Sequence, residues 1–478
     1  YQRKLAKPGR TFSADITGTL NKSDGNAMLL TQKILTTDSD TAGLNQQANF
    51  YSRSYTVQAT FAYTEPVTPL SQMQFSYAPY FVQNLRDRNT FDFDTFSNNY
   101  ENLNVLLSNL FLNYYTTHKA GFAYRLRNNS DALNISVGAN MQFALLTGEQ
   151  IFPDVSKVKR TFHDLLPNAT LTYRFARQGN LRINYTTSTN PPTISQLQNI
   201  LDNSNPLFLN IGNPSLKQDY RHNLVIRFNN VDTATMHMYF GFMSFTYTQN
   251  AIGNSTIIAL KDTIVLSDIL VPAGTQFTRP VNFSRSISFR SFFGYNFPIK
   301  KIKLNFSLLG GISYVQLPGL INANLNISHT TNLMSGFNLS SNISEKIDFN
   351  IYYMSNYNIV RNTLRKEQNS NFFFHNAEAR LNWNFWKGFV LNTTWSNTLY
   401  SGIAQGFNQN FLLWNASLAY RFFSNRSLEL KFGVFDILGQ NNSIARNVNE
   451  TFIEDTRTDV LQRYYLITLT YNIRKFKK

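Results

Sequence analysis

Along residues 131–143 the chain alternates without a break. Leu133, Ile135, Val137, Ala139, Met141 and Phe143 are apolar, and Asn134, Ser136, Gly138, Asn140 and Gln142 between them are small or polar. Successive side chains of a strand point to opposite faces, so this segment reads as a β-strand with an oily face and a watery one. The pattern recurs. Leu181, Ile183 and Tyr185 oppose Arg182, Asn184 and Thr186, and Ile302, Leu304, Phe306 and Leu308 oppose Lys301, Lys303, Asn305 and Ser307. Ala377, Ala379, Leu381, Trp383 and Phe385 oppose Glu378, Arg380, Asn382 and Asn384; Leu428, Leu430, Phe432 and Val434 oppose Glu429, Lys431, Gly433 and Phe435. Counting such segments predicts about eighteen strands, each long enough for the roughly 9–11 residues that a tilted membrane-crossing strand needs.

The connections alternate too. Short turn-like stretches at 64–71, 127–131, 176–180, 230–235, 297–301, 344–348, 386–388 and 423–427 separate long polar ones at 86–103, 190–217, 250–281 and 439–458. Tight turns at one end and long loops at the other is the plan of an outer-membrane barrel. Tyr63, Tyr173, Phe175 and Phe385 sit at strand ends beside short turns, where an interfacial aromatic girdle belongs. An open sheet edge in hydrocarbon would leave a row of backbone groups without partners. The expected fold is therefore all-β: a transmembrane antiparallel up-and-down β-barrel, occupying residues 1–478 as one domain.

Composition sharpens this picture. Charged residues make up 15% of the 478, well below the roughly 25% of soluble domains, while aromatics reach 15%. No apolar run is long enough for a transmembrane helix. The absence of cysteine excludes a disulfide scaffold and thiolate chemistry. The net charge of +16 raises the possibility of nucleic-acid binding, but the cations are scattered in turn-like groups and no recognition motif accompanies them. Anionic lipid head groups, including lipopolysaccharide, are the expected counterpart. The chain starts at Tyr1 without a signal segment and reads as a mature or truncated portion.

Four segments carry a resemblance. The first is Pro191-Pro192 followed by Gly212-Asn213-Pro214-Ser215-Leu216-Lys217, where Gln218 and Asp219 replace a usual Pro-Glu. The others are "YTEPVT" (63–68), "FGVFDILGQNNSIAR" (432–446) and the closing "RYYLITLTYNIRKF" (463–476). Together they resemble the barrel domain of TonB-dependent outer-membrane receptors of the Bacteroidetes type. The resemblance implies TonB-coupled uptake of a large or scarce nutrient, and a closed barrel of about 22 strands around a plug. The signal peptide, the plug and about four strands are then expected to precede Tyr1, and "YQRKLAKPGRTFS" (1–13) reads as a strand end, a turn and a new strand. A surface lipoprotein would be the partner of a scaffold barrel instead; the resemblance itself implies TonB, through the plug, and the barrel-assembly machinery. The last of these would read the final strand, with Tyr465, Ile467, Leu469, Tyr471 and Ile473 forming its lipid-facing stripe.

The alternatives are a passive eighteen-stranded porin and a structural or secretion-associated scaffold. Pro191, Pro192, Gly212, Asn213, Pro214, Leu216 and Lys217 read first as loop-folding residues and second as neighbours of a ligand. Arg174, Arg182, Lys301, Lys303, Arg380 and Lys431 are expected to face the lumen, either selecting anionic solutes or pairing with plug carboxylates. No catalytic, cofactor or metal site is expected. The six histidines lack helical spacing, and Asp92 and Asp94 lie in a loop-like stretch without the glycine-centred ligand pattern of calcium.

Overall fold

The structure, a computed structural model, describes residues 1–33, 42–197, 201–202, 207–266, 269–341, 344, 346–402, 409–423, 426–441, 443–448, 453–458 and 460–473. Eighteen long strands follow one another. They are β1 (Thr11–Lys33), β2 (Ala42–Thr68), β3 (Ser71–Asp94), β4 (Asn109–Arg127), β5 (Leu133–Phe152) and β6 (Ser156–Ala176). Next come β7 (Gly179–Asn190), β8 (Asp219–Asp232), β9 (His237–Ile258), β10 (Gln276–Ile299), β11 (Leu304–Ile321) and β12 (Asn324–Ser341). The last six are β13 (Ile347–Asn362), β14 (Ser370–Phe385), β15 (Phe389–Ser401), β16 (Gln409–Phe422), β17 (Leu428–Phe435) and β18 (Tyr464–Tyr471). Each pairs antiparallel with the next, and short pieces bring the continuous sheet to 22 strands.

Alternation separates the two faces. Trp383, Leu391, Leu418, Phe432 and Ile467 form one cross-strand row over five strands. The adjacent row, on the other face, is Asn382, Asn392, Ser417, Gly433 and Leu466. The inner face knits itself with amides, such as Asn332 to Asn358 at 2.9 Å and Asn350 to Asn338 at 2.7 Å. A polar lumen and an apolar exterior are the two solvents of a transmembrane barrel.

Many strands are longer than the bilayer requires, β2 reaching 27 residues. On β1 the outward residues Phe12, Ile16 and Leu20 give way to Lys22 and Asp24, so the oily band ends about halfway up. This corrects two expected loops. Residues 86–94 belong to β3 and 99–103 form a strand beside it, while 250–258 and 276–281 extend β9 and β10. Polar residues there looked like loop because both faces of the upper wall meet water.

Most tight turns lie at one end, but the long-loop end has two of its own. One is Pro153–Val155; the other is Asn322-Ala323, with φ of 48° and 65°. At the start of the chain, Gln2–Lys4 pairs with Thr11–Ser13 across the turn containing Gly9 at φ 83°. Among the described residues no ladder joins β18 to β1 or to Gln2–Lys4. The three-residue strand Gln2–Lys4 pairs only with the base of β1, and among the described residues neither sheet edge has a partner above it.

Candidate functional site on the inner wall

The connection between β7 and β8 does not stand clear of the barrel. Pro191 and Pro192 end the β7 ladder by removing backbone donors, and a helical turn, Ile194–Leu197, follows. Leu197 and Leu216 are buried against Leu146, Val158 and Phe162 of the wall. All three lie on the inward-pointing positions of β5 and β6, so the segment folds over the inside of the sheet. Burying two leucines this way contributes roughly 1.5–3 kcal/mol each.

The Gly212–Lys217 stretch is the clamp. The Asn213 backbone N–H donates to the Gln196 carbonyl at 2.6 Å, and its side chain donates to the Pro280 carbonyl at 2.9 Å and accepts from Ser215 N–H at 3.0 Å. Lys217 N–H donates to Asn282 Oδ1 at 2.8 Å, and Asn282 returns a bond to the Lys217 carbonyl at 2.9 Å. Gly212 is buried, and Pro214 receives a bond from the Arg160 guanidinium. Further out, Leu209 and Ile211 join Val265, Val271 and Phe277 in a separate apolar cluster, so this loop and the one between β9 and β10 form a joint cap.

Beneath the clamp the wall parts. The β6–β7 ladder runs from the turn to Asn168 and Thr186 and stops, although β6 continues to Ser156 and β7 to Asn190. Pro167 is the next residue and has no N–H to offer. The gap holds a cavity of about 530 Å³ bordered by Arg160, Phe162, Asp164, Lys217, Gln218 and Tyr220. Gln218 donates to both Asp164 oxygens at 2.7 Å, whereas Arg160 Nε and Gln218 Oε1 have no partner among the described residues. Arg160 and Lys217 against Asp164 leave the seam net cationic.

The predicted basic residues are not one cluster. Arg182 on β7 faces Arg227 of β8 on the inner side, with Arg182 Nε donating to Asn184 at 3.2 Å and Arg227 lying 5.7 Å from the Phe242 ring. Arg174 is inward near the foot of β6 and Lys431 on β17. Arg380 pairs with Glu378 two residues along its own strand, and Arg421 with Glu429 at 2.8 Å, so the wall neutralises part of its own charge. Lys301 and Lys303 need correction. They lie in the turn after β10, where Lys300–Ile302 forms a 3₁₀ turn and Lys303 takes φ 52°, so neither is on a strand face. Asp92 is likewise on a strand and is occupied by Gln46 at 2.7 Å and Asn104 at 2.9 Å. Among the described residues no group of three acidic or histidine side chains could hold a metal.

Tyr465, Ile467, Leu469 and Tyr471 project outward from β18, and Ile473 falls just beyond its end. Lys477 and Lys478 lie outside the described residues. Neither the Pro167 break nor the two leucine anchors could be read from the chain alone, since Leu197 and Leu216 have no alternating apolar pattern around them.

Residues 3–354 match the outer membrane protein beta-barrel family. The chain belongs to that family. For this outer membrane protein beta-barrel family member, an integral place in the outer membrane follows. No curated protein matches the sequence. Among solved structures, the copper transporter OprC aligns at TM-score 0.49 and 10% identity, over 97% of this chain and 75% of its own. The ferric preacinetobactin receptor BauA from Acinetobacter baumannii aligns at 0.46 and 12%, over 85% and 59%. The ferric yersiniabactin uptake receptor FyuA from Yersinia pestis aligns at 0.42 and 10%, over 99% and 77%.

Proposed function

We propose that this chain is the wall of a TonB-dependent outer-membrane transporter that takes up a large or scarce nutrient. The observation that carries the reading is that, among the described residues, no ladder joins β18 to β1 after eighteen long strands. A passive porin of that strand number closes on itself, because an unpaired edge in lipid costs several kcal/mol for every backbone group left bare. Additional strands preceding Tyr1 would complete the cylinder at the larger size that encloses a plug. The four sequence segments described above support the same assignment, and the inward-folded loop with its cationic seam suits a gated passage. In this reading TonB acts on the plug, the solute passes along the amide-lined inner wall, and the wall performs no bond chemistry.

Planar-bilayer recording of the full-length protein tests the reading. A plugged transporter shows no steady large conductance until the plug is deleted, and its uptake in cells stops when TonB is removed. A stable open channel in the intact protein, with uptake independent of TonB, would replace this proposal with the porin.

A further inference from the structure

The outer face of the wall carries an unmatched cationic patch where the oily band ends. The register places His222 of β8, Tyr247 of β9, Ile287 of β10, Gln316 of β11, His329 of β12 and Arg361 of β13 in a single cross-strand row. His329 and Arg361 are direct neighbours, and Arg285 stands on the same face of β10 one pair further out. The row lies about ten or more residues from the short turns, which at a 45° tilt is the height of the outer bilayer interface.

What surrounds these groups makes the patch unusual. From Gln276 to Asn362 the chain has two acids, Glu345 and Asp348; Asp348 is the second residue of β13, beside the short turn, and Glu345 lies outside the described residues. Among the described residues no carboxylate therefore reaches the row from β10, β11, β12 or β13. On the next connection, Glu367 is committed to Arg365 at 2.8 Å. Tyr314 holds His329 through Nδ1 at 2.6 Å, which leaves the Nε2 edge of the ring without a partner among the described residues. With the tyrosine hydroxyl as donor, that edge carries an N–H. Arg361 uses only Nη1, on Val360, Ser370 and Asn371, so Nε and Nη2 remain open, and Arg285 has no protein hydrogen bond among the described residues. The Arg361 guanidinium and the Nε2–H edge of His329 therefore stand side by side as N–H donors that an anion can accept from.

We infer that the Arg285, His329 and Arg361 patch binds a phosphate group of the phosphorylated glycolipid that forms the outer leaflet of the outer membrane. The site faces outward at interface height, offers several N–H donors and contains no competing acid. The lipid's acyl chains would lie down the exposed apolar surface of Ile312 and Leu333 below it. Guanidinium groups match a phosphate in geometry as well as charge.

The experiment uses the full-length protein, purified in detergent and stripped of lipid, then offered diphosphorylated lipid A, enzymatically dephosphorylated lipid A, or phosphatidylglycerol, with binding read by native mass spectrometry. The wild type should retain the diphosphorylated form roughly five-fold over the dephosphorylated one, about 1 kcal/mol. Arg361→Gln combined with His329→Gln should bring that ratio to about one, while Lys431→Gln on the inner face should leave it unchanged. Heat-modifiable migration on gels confirms that each variant is folded. Equal retention of the two lipid A forms by the wild type, or undiminished preference in the double variant, would overturn the inference. Phosphatidylglycerol binding as tight as lipid A would overturn the assignment to the outer-leaflet glycolipid.

Discussion

Pro167 of β6 and Thr187 of β7 face each other without a ladder bond, joined instead by the Thr187 hydroxyl donating to the Pro167 carbonyl at 2.8 Å. That carbonyl points toward β7, so an N–H at position 167 would point there as well. The proline therefore removes the donor with which the two strands would have stayed zipped. Pro167→Val should extend the β6–β7 ladder and narrow the cavity above it. Hydrogen exchange at residues 187–189 should slow markedly; unchanged exchange would show that the seam is held open by something else.

The inward fold of residues 191–218 depends on two leucines. Leu216→Ala should weaken docking by about 2–4 kcal/mol, the usual cost of truncating a buried leucine, without unfolding the wall. Protease should then cut within this segment while the heat-modifiable band persists. Resistance equal to wild type would mean that the Asn213 and Asn282 bonds hold the loop unaided.

Ala323 occupies the left-handed region at φ 65°, in a two-residue turn where glycine is the favoured occupant. Ala323→Gly should stabilise the β11–β12 hairpin by roughly 1 kcal/mol, because the side chain conflicts with that backbone conformation. Denaturant titration of the refolded protein in micelles measures the gain, and a loss of stability would refute the strain.

The Arg365 guanidinium beside Glu367 holds its carboxyl below the usual carboxylate range. Because the folded value is depressed, the contribution is present at neutral pH and fades as acid approaches and passes the folded value. Protection of the 363–369 loop from hydrogen exchange, after correction for intrinsic rates, should fall at acid pH in the wild type. Glu367→Gln should flatten that dependence; an identical acid limb in the variant would remove the ion pair as its cause.

The membrane half of the wall was legible in the sequence because its two faces meet different solvents, as Leu133 to Phe143 display. The upper half was not. Asp87 and Asn89 of β3 point outward yet are polar, because water lies on both sides of the wall there; nothing forces apolar alternation, and a strand there resembles a loop. Lys301 and Lys303 misled for the opposite reason, since a turn that follows a strand can continue its alternation for three residues. Leu197 and Leu216 could not be recognised as anchors because their partners come from distant strands. His329 and Arg361 are 32 positions apart in the chain, and only the β12–β13 register makes them neighbours.

The excess length of the strands also has an architectural effect. A β2 of 27 residues, tilted, rises roughly 25–30 Å beyond the hydrocarbon. The mouth is thus carried on a stiff hydrogen-bonded collar, well clear of the hydrocarbon. A bulky particle arriving from outside meets that rim before it meets any lipid.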